Sequence, residues 1–321
     1  MSQSVTLEET AALLQKADHI LLLTHQYPDG DTIGSGYALC QALQSLGKTA
    51  RVACSDEIPG KYAYMTEPVP SPTFEPSFIC AVDVADAKLL GPRLEPYADR
   101  VDLAIDHHAS HRDFQRYLLL DADASATALL IYDLLLCLGA EMTPSIADCL
   151  YTGLATDTGC FKYSNTTAHT HAAAATLIAA GAEVYPINKA FFDTKSFARL
   201  QLEARLTDSI ELYGGGIVGL CTMPKLLLDE LHISEDDVDS ISGFARSIEG
   251  VEIGIMIREV EDGGGKISLR TSEHYNASEL CKALGGGGHA AAAGATVPGG
   301  ITGARHAILS LLAQRGIIRE R

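Results

Sequence analysis

The chain has 321 residues, 47% of them hydrophobic and 20% charged, and carries a formal charge of −17. Its length suggests two domains, and its apolar content excludes wholesale disorder. The acidic balance, with no basic stripe, excludes a protein that tracks long duplex DNA through its phosphates. No apolar run of about 18 residues occurs, so no membrane span is expected. The polar start MSQSVTLEET is unlike a signal peptide, which points to the cytoplasm. Eight cysteines form no CxxC pair and sit mostly in apolar runs such as FICAVDV, as buried reduced thiols do.

In chain order, TLEETAALLQKA reads as an amphipathic helix, HILLLTH as a buried strand and GSGYALCQALQSLGK as a helix closed near a glycine. TARVACSD, SFICAVDVA and RVDLAIDHH read as further strands, and SATALLIYDLLLCLGA and PSIADCLYTGLATDTG as apolar helices. This alternation predicts an α/β fold with a doubly wound, mainly parallel sheet. An alanine-rich helix over 168–182 follows. The stretch 183–210 then has helical character and reads as a connection. After it come a strand (GGGIVGLCTM), a helix (SEDDVDSISGFARSI), a hairpin with a glycine turn (VEIGIMIREVEDGGGKISLRTS) and two helices (ASELCKAL and TGARHAILSLLAQR). The expected division is a larger domain over 1–187, a helical linker over 188–212 and a smaller α+β domain over 213–321.

Four acid- or histidine-bearing spots fall at ends of predicted elements: His25, Asp29 and Asp31; Asp83; Asp106, His107 and His108; and Asp157. In an open α/β sheet the carboxyl ends of the strands face the ligand, so spots distant in sequence can converge. Taken alone, Asp29-Gly30-Asp31 also suits a turn, and Asp83 or Asp157 a helix cap. Adjacent histidines behind an apolar strand are harder to explain by packing. Carboxylates with imidazoles suit Mn²⁺, Mg²⁺, Fe²⁺ or Co²⁺. Several carboxylates are too many for one ion, which favours two ions sharing a carboxylate.

Farther on, LGGGGHAAAAGA brings Gly286, Gly287, Gly288 and His289 into a segment that reads either as an anion-binding nest or as a flexible loop. Arg270, flanked by Thr271 and Ser272 in SLRTS, suits a phosphate or an ordinary surface position. Weaker candidates are His169 and His171, read as structural. His111, close to the DHH stretch, suits either a supporting position behind it or, more readily, the surface, and Asp121, Asp123 and Ser125 read as turn and cap residues.

THQYPDGDTIGS, VDVAD, IDHHAS and ATDTG, in this order, resemble the four motifs of the DHH phosphoesterase superfamily, and SLRTS with GGGGHAAAAGA resembles its DHH-associated C-terminal domain. The compact two-domain length is similar to the bacterial nanoRNase/pAp phosphatase group. That group consists of cytoplasmic enzymes that shorten very short RNAs and dephosphorylate 3′-phosphoadenosine 5′-phosphate (pAp). The resemblance implies a hydrolase with two divalent ions, manganese foremost. His25, Asp29 and Asp83 would hold one ion, and Asp31, Asp83, His107 and Asp157 the other. Asp83 would bridge them. His108 would contact the scissile phosphate or assist proton transfer, and Asp106 would orient a neighbouring histidine. Arg270, Ser272 and the Gly286–His289 loop would hold the substrate's nucleotide or non-scissile phosphate, gripping one end of it across an interdomain cleft. Relatives usually carry a more varied, often basic stretch after His289. The alanines here imply weaker binding of longer oligomers. Alternatives are a phosphodiesterase for pApA or cyclic dinucleotides, a pyrophosphatase or polyphosphatase of the same superfamily, and a nucleotide-binding regulator. The partners implied are short RNA or nucleotide phosphates, with the assembly state open, a homodimer included.

Overall fold

Ile20–Leu23 is buried at every position, the pattern of a strand covered on both faces. It is one of six strands in the first of two compact units, Met1–Thr194 and Lys195–Arg321, of a computed structural model that describes residues 2–233, 238, 241–260 and 263–319. The strands are β1 (Gln3–Ser4), β2 (Ile20–Leu23), β3 (Ala50–Ala53), β4 (Phe78–Val82), β5 (Leu103–Asp106) and β6 (Tyr117–Leu120). Their order is β1-β6-β5-β4-β2-β3 and every pairing is parallel. Residue alternation splits the core: Leu22, Val82 and Ile105 join one apolar cluster, and Leu21, Ala81 and Ala104 the other. On the first face lie α1 (Leu7–Lys16), α2 (Gly30–Ser45), α3 (Ala63–Thr66), α4 (Thr127–Leu138), α5 (Pro144–Asp157) and α6 (Ala168–Ala179). Short 3₁₀ segments, Ala87–Leu90 and Glu95–Arg100, lie over the second. β1 and β6 are not among the sequence-based expectations, because a two-residue edge strand and a four-residue strand carry almost no periodicity.

The chain leaves β2 for β3 on one side, while β4, β5 and β6 extend on the other. The carboxyl ends of β2 and β4 therefore flank the point where strand order reverses, the usual ligand position in such sheets.

Helix α2 begins at Gly30 rather than Gly34, with Asp29 as its N-cap: one Asp29 carboxylate oxygen accepts the N–H groups of Asp31 and Thr32, both at 3.0 Å. Gly30 is thus in the first helical turn. Its missing Cβ makes room for the Thr156 side chain of α5. Gly34 does the same for the Cys149 carbonyl, so α2 and α5 approach closely.

In the second unit the strands are β7 (Glu211–Tyr213), β8 (Val218–Met223), β9 (Ile253–Glu259), β10 (Gly265–Thr271), β11 (Gly287–Gly288) and β12 (Ala292–Val297). Their order is β11-β12-β10-β9-β8-β7, antiparallel except for the β8–β9 pair. Along β10, Ile267 and Leu269 face helix Gly300–Gln314, while Lys266, Ser268 and Arg270 point to the opposite side. Leu202 and Leu206 of helix Phe197–Asp208 pack with Cys221, Met223 and Met256 of this sheet. Of the predicted helix over 234–248, residues 234–237, 239 and 240 lie outside the described residues, and Phe244–Ser247 forms a 3₁₀ turn. Among the described residues no helix is long and apolar enough to cross a membrane.

Candidate metal centre

β2 ends two residues before His25, β4 ends at Val82 and β5 ends at Asp106, while Asp157 is the last residue of α5. The sheet and the α2–α5 packing bring these ends together. Asp83 is the pivot. It is 3% exposed and held at φ +61°, with its N–H donating to the Ile105 carbonyl at 2.9 Å. A left-handed aspartate is uncommon and costs about 1–3 kcal/mol, so the surroundings must fix it. One carboxylate oxygen accepts the Thr127 hydroxyl at 2.8 Å and faces His107 and His108 at 3.9 and 3.6 Å. The other faces His25 at 3.7 Å.

Among the described residues, three groups of ligand-grade atoms each lie within 4.8 Å of one another: His25, Asp29 and Asp83; Asp31, His107 and Asp157; and Asp83, His107 and His108. In the first, His25 Nε2 is 3.7 Å from an Asp29 oxygen. In the second, His107 Nε2 is 3.9 Å from Asp31 and 3.4 Å from Asp157. These gaps mostly exceed hydrogen-bond reach, but they match ligands held about 2.0–2.1 Å from a common small divalent ion. The tautomers agree: Nδ1 of His25 meets the Gln26 carbonyl at 2.7 Å and Nδ1 of His107 the Ala124 carbonyl at 3.1 Å, which turns both Nε2 atoms to the cluster.

The electrostatics also call for cations. Burial, then the charges of Asp83, Asp157 and Asp29, holds the Asp31 carboxyl well above its usual range. Burial pushes Asp157 up to about 6, against the attraction of His107. Burial disfavours a charged His25, yet the Asp29 and Asp83 carboxylates push it up to about 11. Burial and mutual repulsion thus disfavour the charged forms of Asp31 and Asp157, a cost that bound cations would offset.

Asp31 has a second duty that the sequence does not show. It is 1% exposed, and its two oxygens accept the N–H groups of Thr127 and Ala128 at 2.7 and 2.8 Å, with the Ser35 hydroxyl at 3.1 Å. It therefore caps α4, whose own N-cap, Ala126, offers no side-chain bond. Ser125, expected as a cap residue, instead accepts the Thr170 hydroxyl at 2.9 Å, while Asp121 serves a turn by accepting the Asp123 N–H at 3.0 Å.

Asp106 is fully buried. One oxygen accepts the N–H groups of His107 and His108 and meets His108 Nδ1 at 2.7 Å; the other meets His111 Nδ1 at 2.6 Å. Burial opposes its charge, but His108 and His111 hold the carboxyl far below its usual range. In return Asp106 pushes His108 up to about 9. His111 is not the surface residue its sequence position suggests. Its side chain is 1% exposed, and its Nε2 meets Gln115 Oε1 at 3.3 Å. Proximity to an acid and two other histidines was the only signal for it. His169 pairs with Asp133 at 2.9 Å and His171 stacks on Phe161, as structural residues do.

In the second unit, Arg270 donates to the Ser242 hydroxyl at 2.8 Å and lines a cavity of about 270 Å³ with Ser242, Arg258, Lys266 and Ser268. Ser272 donates to Glu252 at 3.0 Å, so its hydroxyl is engaged by a carboxylate. The glycine run is not an open loop. Gly287 and Gly288 pair with Gly294 and Ala293 as an edge strand, and His289 opens a turn by donating to the Ala292 carbonyl at 2.8 Å. Side chains at Gly286 or Gly288 would collide with the β12 backbone, which accounts for these glycines without a ligand. Thr271 fastens this turn beside Arg270 and Ser272: its N–H donates to the Ala291 carbonyl at 2.9 Å and its hydroxyl to Ala290 at 3.0 Å. Ala293 is buried, so part of the alanine tract is packing.

The sequence profile of the DHH family, N-terminal domain, matches residues 19–154, and that of the DHHA1 domain matches residues 223–315. The bifunctional oligoribonuclease and PAP phosphatase of Thermus thermophilus is 31% identical over 286 residues, spanning 87% of this chain and 84% of that protein. This chain belongs to the DHH family. Membership makes it a phosphoester hydrolase, with DHH and DHHA1 domains in that order. The Bacillus subtilis protein of the same description is 25% identical over 285 residues, 87% of this chain and 90% of that one. Among solved structures, an exopolyphosphatase-related protein from Bacteroides fragilis superposes with a TM-score of 0.86 at 24% identity, covering 96% of this chain and 95% of the other. RecJ of Thermus thermophilus, solved with Mn²⁺, superposes with a TM-score of 0.55 at 15% identity over 96% of this chain and 54% of that one. Both share the fold.

Proposed function

We propose that this chain hydrolyses very short RNA oligomers to mononucleotides and pAp to AMP, both at the centre built on Asp83. The observation that carries the proposal is the two-sided carboxylate of Asp83, one oxygen toward His25 and the other toward His107 and His108. The descriptions of the Thermus and Bacillus relatives, which name both activities, support the substrate classes.

His25, Asp29 and Asp83 would hold one divalent ion, and Asp31, Asp83, His107 and Asp157 a second. Oxygen and imidazole donors favour Mn²⁺, with Mg²⁺, Co²⁺ or Fe²⁺ as substitutes. When bound, such ions acidify water and offset charge on the phosphoryl group. The protein's own part is positioning and proton handling. Asp106 fixes the His108 ring through Nδ1, so Nε2 can meet the scissile phosphate or give a proton to the leaving oxygen. Arg270 and the His289 side chain would hold the nucleotide or non-scissile phosphate, Arg270 as a planar two-point donor, since the backbone N–H groups of Gly286 and His289 already donate to the Cys281 and Ala292 carbonyls. Ser272 keeps its bond to Glu252 and stands beside that contact.

The test is Asp83→Ala. Manganese-dependent hydrolysis of pAp and of a short RNA should disappear together. Retention of either at the wild-type rate contradicts a shared centre.

A further inference from the structure

Just past Asp157 the backbone does something costly. Gly159, Cys160 and Phe161 take φ values of +57°, +60° and +62°, three left-handed residues in succession, two of them not glycine. The surroundings hold them there. The Cys160 N–H donates to the Ala155 carbonyl at 2.7 Å, and the Phe161 ring sits against Tyr151 and His171 with centroids 5.7 and 5.4 Å away. The N–H groups of Lys162 and Tyr163 both donate to the Thr158 carbonyl, at 2.9 and 3.0 Å. The Asn165 amide closes the loop by donating to the Asp157 carbonyl at 3.1 Å.

The outcome of this bracing is the placement of Tyr163. Its ring lies so close over Gly159 that any side chain there would overlap it, yet the residue is 62% exposed. One face of the ring rests on the Gly159 backbone and the rest is largely open to solvent, six residues past Asp157 in the loop that closes α5. An exposed aromatic ring held against backbone, in a loop tied to the Asp157 carbonyl through Asn165, is what a nucleobase stacks on.

We propose that Tyr163 is the stacking platform for a nucleobase of the substrate, giving the centre a preference for nucleotides over other phosphoesters. The proposal rests on the nucleotide-directed reading of the site given above. Stacking is tolerant of base identity, so the platform favours any nucleotide over a base-free phosphate and selects weakly among bases.

The test compares pAp with its base-free analogue, 1-deoxyribose 3,5-bisphosphate, using wild type, Tyr163→Ala and Tyr163→Phe with Mn²⁺. The ratio of kcat/KM for pAp over the analogue should fall about tenfold in Y163A and be kept in Y163F, because stacking needs the ring and not the hydroxyl. Equal losses on both substrates, or none on either, overturn the platform. A second arm is independent of turnover. Calorimetry should show wild type binding AMP about tenfold more tightly than ribose 5-phosphate, and Y163A binding the two alike. If wild type does not prefer AMP, the platform is wrong. If it prefers AMP but hydrolyses neither bisphosphate, the platform stands and the substrate reading fails.

Discussion

Asp31 accepts the backbone N–H of Thr127 at 2.7 Å across 96 positions of sequence, so one carboxylate belongs both to a candidate metal-binding group and to the start of α4. Asp157 belongs to the same candidate group and ends α5 rather than starting a helix. The two can therefore be compared directly. In metal-free protein, Asp31→Ala should be less stable than Asp157→Ala by about 1–2 kcal/mol, the worth of an N-cap. Equal midpoints and slopes in denaturant melts would remove the capping role.

His111 should prove a positioning residue. Removing it leaves one oxygen of a buried carboxylate without its 2.6 Å partner. His111→Ala should lower stability by about 1–3 kcal/mol. It should also lower kcat by about tenfold, as losing an outer support of a metal site typically does. KM should change little. His111→Asn, whose amide can donate where Nδ1 does, should recover most of kcat; a variant no better than alanine argues against the hydrogen bond as the cause.

The pH dependence follows from the shifted groups. Asp157, pushed up to about 6, stabilises the metal-free fold below the ordinary carboxylate pKa, and that stability is lost as pH rises through 6. His108 and His25, pushed up to about 9 and 11, contribute stability below about 6.5 that is lost as pH rises through those values. All three act in the same direction. The metal-free protein should lose stability from pH 5 to 9, and Mn²⁺ uptake should release protons and tighten with pH. Thermal melts with and without Mn²⁺, and titrations in two buffers of different ionisation heat, check both. Metal-free stability that rises over this range contradicts the assignment.

The α2–α5 contact should tolerate no added methyl at Gly34, where a Cβ meets the Cys149 carbonyl. Gly34→Ala should cost at least about 1–3 kcal/mol by overpacking. It should also weaken Mn²⁺ binding, because the contact sets Asp31 on α2 against Asp157 on α5. Gly60→Ala, with open space around it, is the control and should stay within about 0.5 kcal/mol. A fully stable, metal-binding G34A contradicts this packing account.

His25, Asp83, Asp106 and the histidines after it were legible in the sequence because each follows an apolar strand, and parallel strands present their carboxyl ends together. Less was legible where one segment answers to a remote one. Gly30 looks like a turn glycine but makes room for Thr156. His111 looks exposed but is drawn inside by Asp106. The run GGGG looks like an anion loop, yet its middle pairs as an edge strand against β12. In each case the local composition is permissive, and the deciding contact lies on a remote segment.

The most direct measurement is turnover, side by side with Mn²⁺, of pAp, pApA, cyclic di-AMP, two- to five-nucleotide RNAs and pyrophosphate. The account predicts hydrolysis of pAp and of the shortest RNAs, falling off with length, and none of pyrophosphate. Hydrolysis of pyrophosphate alone, or of no nucleotide phosphate by metal-loaded protein, would contradict it.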